Sequence, residues 1–176
     1  MIASVDPPRT ALRPYRFTYD EVLMMAEADM LHEHDNVELI DGQLIPMSPV
    51  GDPHVGCVNR LNRLLVERTA SAVGISVQNP LRIDAHNAPE PDVVVATEQD
   101  RAPTPGTTLL VVEVSDTTLD YDRNTKLPLY AEADIPEVWI VDLDARQVEV
   151  YRDPKGSDYT LRLLRDASAS VDIAAL

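Results

Sequence analysis

The order of apolar and polar positions divides the chain into alternating helical and extended segments. Residues 1–14 hold three prolines and little periodicity, which predicts an extended N-terminal arm over 1–17. Thr18-Tyr19-Asp20-Glu21 then has the S/T-x-x-E form of a capping box. The helix it opens is predicted to run to about Met30, with Val22, Leu23, Met25 and Ala26 available for packing. VELIDGQLIPM (37–47) reads as a hairpin, because Asp41-Gly42 can take the positive backbone angles of a two-residue turn. Pro49 to Pro53 read as a loop. From His54 to about Val73 the period is helical, with Val58, Leu61, Leu65 and Thr69 on one side and Gly74 as the C-cap.

The second half of the chain is richer in strands. Ile75 to Ile83 reads as a strand broken at Asn79-Pro80. DVVVA (92–96) and TLLVVEVS (108–115) are short, apolar and β-branched, the pattern of strands buried on both faces. A helix is predicted somewhere in 121–133. VWIVD (138–142) is a third buried strand, QVEVYR (147–152) alternates as its hairpin partner, and 159–165 suits an edge strand. The order of elements predicts an α/β or α+β fold with a mixed central sheet flanked by helices, and residues 18–176 read as one domain.

Composition changes this picture little. The 176 residues are 44% hydrophobic and 26% charged, an ordinary globular balance. No apolar run approaches the ~20 residues that cross a bilayer, and the N-terminus lacks the order of a signal peptide. A cytoplasmic protein with no membrane partner is therefore expected. Cys57 is the single cysteine, so neither an internal disulfide nor a thiolate metal cluster can form within one chain. The formal net charge of −15 argues against a general nucleic-acid coat and leaves room for an acidic site that holds a cation.

Two acids depart from the apolar pattern. Asp92 opens one buried strand directly after Pro91, and Glu113 interrupts the other between Val112 and Val114. An ionised carboxylate buried without a partner costs several kcal/mol. If the strands are neighbours, the two repel further unless one is protonated or a cation that takes oxygen ligands binds both. Glu38 lies on the first hairpin, and Lys126 lies thirteen residues after Glu113.

The series Pro91-Asp92, Glu113-Val114 and a following lysine resembles the PD-(D/E)XK nuclease superfamily. More narrowly, ELIDGQL (38–44), SP…H (48–54), PEPDVVV (89–95), VVEVS (111–115) and YDRNTKLPLYAEADIPEVWIVD (121–142) resemble the Uma-two family of restriction-endonuclease-like proteins. The resemblance spans most of residues 18–152 and implies a restriction-endonuclease-like core. It implies that Asp92, Glu113 and the backbone carbonyl of Val114 bind Mg²⁺, with Mn²⁺ as an alternative, and that Glu38 assists. Lys126 takes the place of the lysine, on a helix rather than two residues after the glutamate, where Ser115 stands. The implied activity is hydrolysis of DNA phosphodiester bonds. Mg²⁺ lowers the pKa of bound water and neutralises developing charge. With an ordinary pKa of ~10.4, Lys126 suits electrostatics and positioning better than proton abstraction. A homodimer is expected because duplex cutters often act as symmetric pairs.

Other residues divide between structural and functional readings. Gln78, His54 and Tyr130 are candidate polar neighbours of the site, although Tyr130 also suits packing. Arg60 and Arg63 are candidate phosphate contacts, although with Arg68 they also read as a solvated helix face. His32 and His34 read as a polar helix end, and Cys57 and Trp139 as core. Pro128 conflicts with a helix through Lys126 unless Thr125 caps it. Asp116 adds an acid where phosphate would approach. Asp116 and the charge support a different class of protein: an inactive or regulatory nuclease-fold module that binds DNA or a partner.

Overall fold

The computed structural model describes residues 13–31, 36–69, 72–166 and 168–174. His32, His34 and most of the predicted arm, up to residue 12, lie outside the described residues. Helix α1 (Tyr19–Glu27) starts at Thr18, whose hydroxyl accepts from the Glu21 N–H while the Glu21 carboxylate accepts from the Thr18 N–H, so the capping box is formed. The helix stops short of Met30. Val22 and Met25 are half-buried, whereas Leu23 and Ala26 face solvent. Strands β1 (Val37–Ile40) and β2 (Gln43–Pro46) form the predicted hairpin, with Asp41 at φ 49° and Gly42 at φ 72°. An isolated bridge, in which Ala88 N–H donates to the Leu39 carbonyl at 2.8 Å, ties β1 to the loop that joins the first two strands of the main sheet.

Helix α2 spans Asp52–Thr69, two residues earlier at its start than predicted, and buries Val58 and Leu65. Gly74 is not its C-cap. It opens strand β3 (Gly74–Val77), where a Cβ would lie 2.0 Å from the Glu98 carbonyl oxygen; close backbone approach, not helix termination, requires the glycine. The main sheet continues with β4 (Val93–Ala96), β5 (Thr108–Ser115), β6 (Glu137–Asp142), β7 (Gln147–Lys155) and β8 (Asp158–Asp166), in sequence order. Only β5 and β6 are parallel; every other neighbouring pair is antiparallel.

The parallel pair needs a crossover, and residues 119–132 supply it: α3 (Leu119–Tyr121), a π turn (Asp122–Lys126) and α4 (Leu127–Glu132). Thr125 does not cap a new helix. It lies within the π turn, whose widened bonding precedes Pro128 and lets the helical path continue past it. Side-chain alternation splits the core. Val94, Val111, Val138 and Ile140 face Leu127 and Tyr130, while Val93, Val95, Leu110 and Val112 face Val58 and Leu65 of α2. Trp139 belongs to the α2 side of the core, as expected, and Cys57 is only half-buried beside it.

Candidate active site

The register of β4 and β5 brings the two strand acids together. Val93 pairs with Val112, so one step further along the ladder Asp92 comes opposite Glu113. Opposed residues of an antiparallel pair project to one face with Cβ atoms ~4.5–5.5 Å apart. That face is shared with Val94 and Val111, the side covered by the crossover helix. Both carboxylates line a cleft of about 640 Å³, together with Glu38, Lys126, His54 and Gln78.

Each acid is anchored. The Asp92 carboxylate accepts from the Val114 N–H at 2.8 Å on Oδ2, and on Oδ1 it meets His54 Nε2 at 3.0 Å and Gln78 Nε2 at 3.4 Å. Gln78 holds φ 50° at the end of β3, where its own N–H donates to the Asp92 carbonyl at 3.1 Å. Glu113 Oε1 accepts from the Tyr130 hydroxyl at 2.5 Å. Glu38, carried in on the β1–β2 hairpin, accepts from the Glu90 N–H at 3.1 Å and the Tyr121 hydroxyl at 2.8 Å.

Lys126 joins them. Its Nζ lies 3.1 Å from Glu38 and 3.3 Å from Glu113, and donates to the Glu90 carbonyl at 3.4 Å. One π turn earlier, Asp122 accepts from the Ser115 and Thr118 hydroxyls, both at 2.7 Å, fastening the end of β5 to the crossover. The π turn thus buries both Asp122 and Lys126, which α-helical spacing would read as an ordinary surface pair.

Burial and charge set the protonation. Burial pushes the Glu113 carboxyl up to about 8, against the lowering pull of Lys126. Burial by itself lowers Lys126, but the charges of Glu113, Glu38 and Asp122 outweigh it and hold the amine above its ordinary value. Asp122 and Glu90 are raised by burial as well. One ammonium faces several carboxylates, and burial opposes their full ionisation, Glu113 above all. Held above its ordinary value, the Lys126 amine is an ammonium near neutral pH.

The donor set is all oxygen and suits a hard divalent cation. Mg²⁺ commonly uses one or two carboxylates and fills its other positions with water and phosphate, and Asp92 and Glu113 are two such carboxylates in one cleft. Among the described residues no three His, Cys, Asp or Glu side chains converge to hold an ion. The Lys126 ammonium stands between Glu38 and Glu113, so Glu38 bonds to the lysine.

The structure places Asp92, Glu113, Val114, Glu38, Lys126, Gln78 and His54 on the cleft, and Tyr130 behind Glu113. It does not bring Arg60 and Arg63 there; both are exposed on α2 and outside the cleft lining. Asp116 is half-buried at the cleft. Sequence reasoning missed Tyr121, Asp122 and Glu90. The only local hint was the four-residue spacing of Asp122 and Lys126, which normally marks a solvated face.

A family model described as "Uma2: Putative restriction endonuclease" matches residues 20–175. No curated protein matches the chain. Among solved structures, one described as a putative nuclease belonging to DUF820 from Anabaena variabilis ATCC 29413 is similar with a TM-score of 0.70 and 15% sequence identity, over 90% of this chain and 90% of that chain. At that identity the likeness establishes the fold.

Proposed function

Because the chain belongs to the Uma2 family of putative restriction endonucleases, we propose that the cleft is a Mg²⁺-dependent phosphodiesterase site of PD-(D/E)XK type acting on DNA. The observation that carries this reading is the meeting of Glu38, Asp92, Glu113 and Lys126, from four separate segments, in one cleft. Asp92, Glu113 and the Val114 carbonyl would hold Mg²⁺, or Mn²⁺ in its place. Bound there, the ion would lower the pKa of a water molecule and offset charge at phosphorus.

The remaining work falls to the chain's own groups. His54, Gln78 and the Val114 N–H orient Asp92, and Tyr130 orients Glu113. Orienting partners of this kind typically affect affinity or activity by ~10–100-fold. Lys126 stays protonated beside the phosphate and stabilises negative charge as it develops. Glu38 fixes the lysine. All of these groups come from one chain, so the reaction itself requires no second copy; the homodimer expected for symmetric duplex cutting is tested by sedimentation.

Hydrolysis of plasmid and single-stranded DNA with Mg²⁺ or Mn²⁺, beside Asp92→Ala and Glu113→Ala, tests the reading. Each substitution is expected to lower the rate by about 10³-fold or more, as loss of several kcal/mol of charge stabilisation implies. Equal rates in all three proteins would mean a contaminating nuclease and would end the proposal. A non-catalytic nuclease-fold module is the second reading, favoured by the net charge of −15 and by Asp116 at the cleft. Calorimetric titration with Mg²⁺ separates the two, since a folded protein that takes up no divalent ion would be the module.

A further inference from the structure

The reacting groups are recessed. Glu38 is 4% exposed, Asp92 9%, Glu113 3% and Lys126 5%. The cleft above them holds about 640 Å³, within the ~300–1,000 Å³ of pockets that enclose small ligands. Pro49, Val50, Asp116 and Thr117 are among its lining residues. Its charge is one-sided. Glu38, Glu90, Asp92, Glu113, Asp116 and Asp122 line it, against Lys126 and the His54 imidazole. Arg123, next to Asp122 in sequence, is turned away to Glu149.

A duplex is a stiff rod carrying one charge per ~1.7 Å of axis, and its affinity comes from Lys and Arg neutralising several phosphates at once. Bringing one duplex phosphate to these buried carboxylates would press its neighbours onto a lining that, among the described residues, offers acids and no arginine. A long single strand is no better served, because strand-tracking sites need a basic groove and aromatic platforms. Among the described lining residues the two aromatic rings are already engaged, Tyr121 with Glu38 and the His54 imidazole with Asp92.

We propose that this cleft takes one phosphodiester of a short unpaired strand, such as a frayed end or a cleaved fragment, and not a run of duplex. The inference rests on the nuclease reading and names the form of nucleic acid that the same site accepts. With Lys126 as the one lysine or arginine among the described lining residues, and with Mg²⁺ held constant, log(kcat/KM) should fall with log[KCl] with a slope of about −0.7, whereas a duplex cutter neutralising six to ten phosphates would show about −5 to −9.

The experiment compares a short single-stranded oligonucleotide with the same sequence as a blunt duplex, at fixed excess Mg²⁺ over a KCl series. The expected result is a kcat/KM at least about tenfold higher for the single strand, about 1.4 kcal/mol, with the shallow slope. Equal or faster hydrolysis of the duplex, or a slope several units steeper, overturns the inference and leaves the nuclease reading standing. If neither DNA is hydrolysed, the nuclease reading fails. The inference is then decided by fluorescence anisotropy of the two labelled DNAs with wild-type protein in Ca²⁺. Tighter binding of the single strand with a shallow salt slope supports it; tighter duplex binding, or no binding of either, overturns it.

Discussion

Glu113 is the residue on which sequence and chemistry meet. It stands in a strand otherwise built of Val and Leu, and burial raises its pKa from the ordinary 4.5 to about 8. Between those values the folded protein keeps a proton that the unfolded chain has released. Its contribution to stability is therefore complete below pH 4.5 and is lost as pH rises through 8. We expect the unfolding free energy of the metal-free protein, measured by urea titration, to fall from pH 5 to pH 8 by an amount on the order of a few kcal/mol. Glu113→Gln, which keeps the shape without the titration, should flatten that fall and be the more stable protein at pH 8. A wild type with no pH slope in this window would show that Lys126 neutralises Glu113 completely.

At the scale of elements, the strands were the most legible part. β4 and β5 are short β-branched runs buried on both faces, and the hairpin over 37–46 carries its turn in Asp41-Gly42. The ends of helices were less so. Gly74 looked like a helix C-cap because local sequence cannot report that the Glu98 carbonyl lies across from it. Gly74→Ala should accordingly destabilise by about 1–3 kcal/mol or more through overpacking against backbone. The denaturant midpoint should drop with an unchanged m-value; an unshifted midpoint would mean that β3 and the 98–99 backbone separate at little cost. The crossover was misjudged for a related reason. Pro128 suggested a helix start at Thr125, whereas the chain widens into a π turn over 122–126 and places Asp122 and Lys126 inside. A π turn costs backbone geometry, and its return comes from tertiary contacts with Glu38, Glu113 and Ser115.

For the molecule as a whole, a net charge of −15 sets up self-repulsion that salt relieves. KCl should raise the melting temperature modestly. MgCl₂ at matched ionic strength should raise it further, because an ion bound only by the folded state adds ~2.7 kcal/mol at a hundred times its Kd. In Asp92→Ala the excess of Mg²⁺ over KCl should vanish. If the excess persists there, the ion binds elsewhere on the acidic surface. The described residues contain no helix long and apolar enough to cross a membrane.

The amino-acid order by itself determined which segments are strands and helices and marked Asp92 and Glu113 as acids out of place, because period, turn chemistry and burial preference are properties of neighbours in the chain. It also carried the series of motifs by which the family is known. The tertiary structure decided the rest. Strand register set Asp92 opposite Glu113, the hairpin delivered Glu38, and a π turn swung Lys126 between two carboxylates. Protonation and the one-sided charge of the cleft followed, since desolvation and Coulomb energy depend on distances across the sheet that no local pattern records.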